Sequence, residues 1–189
     1  MNHLAPLNQA SVGGQHSRTS SPVRRRLFTT GCVAAVVVVL DALSKDWVLR
    51  SIGPTDRKHL IGTLSLVRRF NTGAAFSIGD GSGATAWLVT VVVCVVVVGV
   101  TRHLIRPPEN SPVARDRRWW WVLGLIVGGA IGNQLDRLFR GDGWNRGAVV
   151  DFIDPRFFPI FNVADSALTV GCVAAAVLSL LVPTQESTR

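Results

Sequence analysis

Four long apolar runs divide this sequence, at about 27–48, 84–105, 119–138 and 162–182. Each is about 20 residues long, the length a helix needs to cross a ~30 Å hydrocarbon core. Lipid cannot hydrogen-bond an exposed peptide group, so a single segment that crosses must be helical. This holds even for the Val-rich stretch 89–100, whose composition is a poor helix former in water. The reading is an all-α integral membrane protein: four transmembrane helices with a small extracytoplasmic β/loop cap.

The totals agree. The chain has 189 residues, enough for one domain, and is 48% hydrophobic, yet carries 20 Lys+Arg against 12 Asp+Glu. That combination suits a membrane protein with basic loops. A nucleic-acid interface is the competing explanation of the +8 charge. The basic residues flank apolar runs and do not line one patch, so no nucleic-acid partner is expected. Cys32, Cys94 and Cys172 lie inside apolar runs with no zinc or disulfide spacing, and read as small buried hydrophobes.

Residues 1–26 are polar and end in Arg24-Arg25-Arg26; they read as a disordered tail. The first apolar run has rival explanations. No small-x-small site follows it, as a cleaved signal would need. Arg25-Arg26-Leu27-Phe28 resembles a twin-Arg signal. Cys32 lies too near the Arg triplet to be a lipid-attachment site. A retained first span is preferred. Asp41 and Lys45 share a face near its outer end, either as a snorkelling ion pair or as groups that contact substrate.

Residues 49–82 form a polar connection with a strand-like Leu64-Ser65-Leu66-Val67, expected to be an ordered cap. Pro107-Pro108 stop the second helix. In the third run Trp119-Trp120-Trp121 suit an interfacial belt, and Gly124, Gly128 and Gly132 form a ridge that admits close helix packing. Residues 139–160 read as a loop, and Asn162 as a helix cap. Four spans put both termini on one side. The basic residues divide evenly between the two sides. The Arg triplet beside the first span decides for cytoplasmic termini, because that span usually dominates.

The charged and amide residues concentrate at the other ends of these spans. Asn133, Asp136 and Arg137 close the third run, Asp151 follows a glycine-rich connection, and Asn162 and Asp165 open the fourth. Charge beside hydrocarbon is costly and tends to mark function. Two carboxylates within reach of each other cannot easily both ionise; one keeps a proton while the other acts as base. Such a pair activates water and protonates a leaving amine. Asp165, near a helix N-terminus, has a reason to stay ionised, which makes Asp151 the protonated partner. Asp136 beside Arg137 reads as a scaffold ion pair.

Five blocks in order resemble the prolipoprotein signal peptidases, also called signal peptidase II. They are Asp41-Ala42-Leu43-Ser44-Lys45, Asn71-Thr72-Gly73-Ala74-Ala75-Phe76, Gly132-Asn133-Gln134-Leu135-Asp136-Arg137, Val149-Val150-Asp151-Phe152-Ile153 and Phe161-Asn162-Val163-Ala164-Asp165-Ser166. The resemblance implies a multi-pass aspartic endopeptidase of the bacterial inner membrane. It would cleave before the diacylglyceryl-modified Cys of a lipoprotein precursor, with no metal or other cofactor. It implies Asp151 and Asp165 as the catalytic dyad and Asn133, Arg137 and Asn162 as polar support, with Asp136 alongside. Asp41, Lys45, Asn71 and Gly73 become substrate or support positions. Membrane lipid and cyclic peptide antibiotics are implied partners. The peptidase domain would be 27–182, with cytoplasmic tails at 1–26 and 183–189. The long tail and the extended connection at 140–147 depart from the family pattern, and the second leaves open how Asp151 reaches Asp165. A proton relay or small transporter, and a purely structural membrane subunit, are the alternatives; charges at helix ends instead of the midplane argue against transport.

Overall fold

A computed structural model of the protein describes residues 22–72, 83–108 and 111–181. Residues 1–21 and 182–189, and the part of the Gly73 block from Gly73 onward, lie outside these residues; residues 22–26, read from sequence as the end of a disordered tail, instead form the first turn of α1. In chain order the elements are α1 (Pro22–Ser51), β1 (Arg57–Ile61), β2 (Leu64–Asn71), α2 (Gly83–Ile105), α3 (Pro112–Arg115), α4 (Arg118–Phe139), β3 (Val149–Asp154) and α5 (Val163–Leu181).

Among the described residues three helices are long and apolar enough to cross a membrane: α1, the stretch 86–105 of α2, and α5. Their outward faces carry exposed Val36, Val39, Val95, Val98, Val173 and Leu180, as lipid-facing surfaces do. The fourth expected span, α4, has 22 residues, about 33 Å of helix. Its sequence is diluted by Gly, Asn, Gln, Asp and Arg, so apolarity alone does not mark it as a span. The reason is its place. It packs against α1 on one side and α5 on the other, with α2 a further neighbour.

Glycines make those contacts close. A Cβ on Gly124 would lie 2.6 Å from Val33, and one on Gly128 would lie 2.9 Å from the Ala34 backbone, both on α1. The expected ridge therefore faces α1. Gly129, one position round, meets the Ala164 carbonyl and the Leu168 amide of α5. Without a hydrophobic difference between helix and lipid, such close van der Waals packing is the main attraction left.

The three strands form one antiparallel sheet in the order β1-β2-β3. β3 corrects the reading of 139–160 as loop throughout. Its residues are nearly all buried, so it has no polar alternation to reveal it. Phe152 packs with Val48 and Ile52 at the end of α1, with Leu66, Ile153 and Val163 around them. That cluster seats the sheet on the helices.

A second cluster, Leu104, Val113 and Trp120, closes the opposite end. Trp120 is buried there and donates its indole N–H to the Val113 carbonyl at 2.9 Å, so of the expected aromatic belt only Trp121 is strongly exposed. The cysteines also depart from expectation: all three are exposed, on the outward faces of the apolar helices.

A Gly128→Leu substitution is expected to force α1 and α4 apart and destabilise the protein by about 1–3 kcal/mol, the usual cost of overpacking. Thermal unfolding in detergent checks this, with Val95→Leu, at a position 66% exposed on α2, expected to leave the midpoint unchanged.

Candidate functional site

The site is assembled around a buried ammonium. Lys45, on α1, is fully buried. Its Nζ lies 2.6 Å from Asp41 Oδ2 and 2.8 Å from Asp136 Oδ2, and donates to Asn133 Oδ1 at 3.0 Å. An ammonium has three hydrogens, and all three are used. The Asp41–Lys45 pair is thus buried and not a snorkelling surface pair, and Lys45 ties α1 to α4 through Asp136 and Asn133. Asp41 also accepts from the Ala164 amide at 2.9 Å, which fixes the first turn of α5.

Asp136 takes a different partner from the one expected. Its carboxylate binds Lys45, the Arg140 Nε one turn later, and the Val150 amide at 3.2 Å. It joins α1, α4 and the start of β3. The Arg140 contact had a sequence signal, acid then base at i, i+4.

The first turn of α5 carries a reciprocal cap. Asn162 Oδ1 accepts from the Asp165 amide at 2.9 Å, and Asp165 Oδ2 accepts from the Asn162 amide at 3.2 Å. This is a capping box with Asp in the usual Glu position. It leaves Asp165 Oδ1 for Asn133, whose Nδ2 donates at 2.7 Å.

The same Asn162 side chain reaches the second carboxylate, Asp151. Its Nδ2 donates to Asp151 Oδ1 at 2.7 Å and to Asn133 Oδ1 at 3.0 Å. Asp151 is held from the other side by Asn71 Nδ2, 3.0 Å from Oδ2. The register that places Asn71 opposite Val149, and Arg69 opposite Asp151, brings β2 to this point. Arg137, buried on α4, exerts its charge on Asp151, Asp136 and Asp165 together. Burial pushes the Asp151 carboxyl up to about 6. The Asn71 hydrogen bond works against that rise and the neighbouring Asp165 charge works with it.

The glycine-rich connection at 140–147 does not separate Asp151 from the rest. It closes on itself. A Cβ on Gly141 would lie 2.6 Å from the Gly147 nitrogen, and one on Gly147 would overlap the Asp136 carbonyl. Gly147 N donates to the Arg137 carbonyl at 2.9 Å, so the chain leaves for β3 from the last turn of α4. Extra residues in a loop whose ends meet do not displace the strand beyond it.

Of the ten residues singled out from sequence, nine are described. Asp41, Lys45, Asn71, Asn133, Asp136, Arg137, Asp151, Asn162 and Asp165 are linked by the hydrogen bonds, ion pairs and charge interactions above, while Gly73 lies outside the described residues. Sequence reasoning missed Thr90 and Asn145, and the part played by Gln134. Gln134 Nε2 donates to Thr90 Oγ1 at 2.9 Å and Asn145 Oδ1 at 3.2 Å. Nothing in the spacing links these three. Beside the site, between α1 and α4, a cavity of 340 Å³ is lined by the charged Asp41, Asp136 and Arg140 and by apolar residues that include Val38, Leu135 and Phe139.

The family model described as signal peptidase (SPase) II matches residues 33–181. A lipoprotein signal peptidase of Rhodococcus jostii (strain RHA1) is 41% identical over 162 residues, covering 83% of this chain and 75% of the relative. One from Mycobacterium tuberculosis (strain ATCC 25618 / H37Rv) is 36% identical over 185 residues, covering 94% and 82%. Two solved chains, both described as bacterial membrane enzymes, share the fold. One has a TM-score of 0.70 at 25% identity, covering 86% of this chain and 94% of its own. The other has 0.67 at 28%, covering 84% and 96%. By the extent of the family match and the identity to these relatives, the chain belongs to the signal peptidase II family, a family of membrane peptidases.

Proposed function

We propose that this protein is an aspartic endopeptidase that removes signal peptides from diacylglyceryl-modified prolipoproteins, cutting before the lipidated Cys. The observation that carries the reading is Asn162, whose side chain donates to the Asp151 carboxylate and accepts from the Asp165 amide while its own backbone amide donates to Asp165 Oδ2, so that one residue holds both carboxylates where helices α4 and α5 meet the sheet.

Asp165 is the base in this reading. It sits in the first turn of α5, where the helix dipole favours negative charge. Asp151 carries the shared proton. Asp165 takes a proton from water, the water oxygen adds to the scissile carbonyl carbon, and Asp151 hydrogen-bonds the oxygen that gains charge. Collapse breaks the C–N bond and the nitrogen leaves with a proton from the pair. Asn133, Asn162 and Asn71 hold the carboxylates in place, and Lys45 and Arg137 balance their charge. The substrate's own lipid holds the scissile bond at headgroup depth, so anchoring supplies positioning that soluble proteases take from long clefts.

The orientation has a basis in charge. The site lies at the extracytoplasmic surface and both termini are cytoplasmic. Arg102, Arg106, Arg115, Arg117 and Arg118, gathered at the opposite end of α2 and α4, support this. Cyclic peptide antibiotics that block related enzymes would act at the same pair.

Asp151→Asn and Asp165→Asn are each expected to lower cleavage of a lipidated precursor by at least about 100-fold while the protein still unfolds cooperatively in detergent; full cleavage by either variant overturns the dyad. The pH dependence has a defined sign. With Asp151 raised from 3.8 to about 6, its protonated form stabilises the fold below the lower value, and this contribution is lost as pH rises through about 6. The melting temperature should therefore carry a decline between those values that Asp151→Asn removes. Activity should fall as Asp151 loses its proton, approaching tenfold per pH unit on the alkaline limb of kcat/KM.

A further inference from the structure

The closed loop at 140–147 is anchored by more than its glycine stem. Asn145 sits in its middle with a φ of 57° and is 1% exposed. Its Oδ1 accepts from Gln134 Nε2 on α4 and is 3.2 Å from Thr90 Oγ1 on α2. Gln134 spends its second amide hydrogen on Thr90. Three segments distant in sequence meet in one buried polar knot.

The knot is next to the proposed dyad along the chain in two directions. Gln134 follows Asn133, which bonds Asp165. Asn145 precedes Gly147, whose amide is tied to Arg137, and Val150, whose amide is tied to Asp136. Asp151 is the next residue. One turn of α4 therefore grips Asp165 on one face and the root of the Asp151 strand on another.

We propose that Asn145, acting with Gln134 and Thr90, is a positioning residue for Asp151. It sets where β3 leaves the loop and so fixes the Asp151 carboxylate against Asp165. The cluster is poorly built for stability alone. Gln134 Oε1 and Asn145 Nδ2 are buried without a hydrogen-bond partner among the described residues. Such atoms are costly, and an apolar trio of the same shape would avoid the cost. What the amides supply that an apolar trio would not is direction.

The inference rests on the dyad reading above. Its test uses the full-length enzyme in proteoliposomes, with a diacylglyceryl-modified precursor as substrate. Asn145→Gly keeps the left-handed backbone accessible and removes only the side chain. It is expected to lower kcat about 10- to 100-fold, the scale of a small misplacement of a reacting group, with KM unchanged. Asn145→Asp, which still accepts from Gln134, should restore kcat. Gln134→Leu should lower kcat without lowering the melting temperature. Wild-type kcat in Asn145→Gly overturns the proposal. So does a loss of kcat in Gln134→Leu that is matched by a lower melting temperature, or a loss in Asn145→Gly that Asn145→Asp does not rescue. Retained cleavage by Asp151→Asn and Asp165→Asn would instead overturn the dyad itself, so the two failures are distinguishable.

Discussion

One buried ammonium organises this protein. Lys45 sits at zero exposure between two carboxylates and an amide oxygen. A lone charge so placed would be prohibitively costly, and so would either carboxylate without it. The three groups come from α1 and α4, so their mutual neutralisation requires those helices to approach. The glycine ridge of α4 permits that approach by bringing backbones to contact distance. The polar requirement and the packing solution lie along the same pair of helices.

From that strut the rest of the site is built by hydrogen bonds of fixed direction. Asp41 orders the first turn of α5 through the Ala164 amide, and Asp136 orders the start of β3 through the Val150 amide. Asn133 and Asn162 then relay between Lys45 and the two remaining carboxylates. Asp165 serves twice, capping the Asn162 amide through Oδ2 and accepting from Asn133 through Oδ1. Such sharing lets few polar atoms meet the demand that buried polar groups be bonded.

The helices were largely legible in the sequence. A ~20-residue apolar run in lipid has one backbone solution, and α1, α2 and α5 match their runs to within a few residues except where α1 extends further back. α4 was legible by its length and its glycine period, but its mixed composition reflects burial among helices, which hydropathy does not measure. β3 was not legible. Val149, Val150, Asp151 and Phe152 are all buried, and a strand buried on both faces loses the period-2 signal. The belt role of Trp120 and the burial of the cysteines failed for a related reason. Apolar character specifies removal from water, and it does not choose between lipid and protein interior.

Sequence by itself picked out nine of the residues that the structure links at the candidate site, though not Thr90 or Asn145. Carboxylates, asparagines and one lysine at the ends of apolar runs have few tolerable environments, so their presence there is informative without coordinates. Tertiary structure decided which distant groups bond to one another. Asp136 turned from its neighbour Arg137 to Lys45 and Arg140, and Asn162 became the bridge between Asp151 and Asp165. It also decided that the long connection at 140–147 closes upon itself, with Asn145 held by Gln134 and Thr90. The long-range contacts among these depend on directions and distances across 11 positions of chain and more. Local spacing carries no such information, because it is the meeting of helices that sets them.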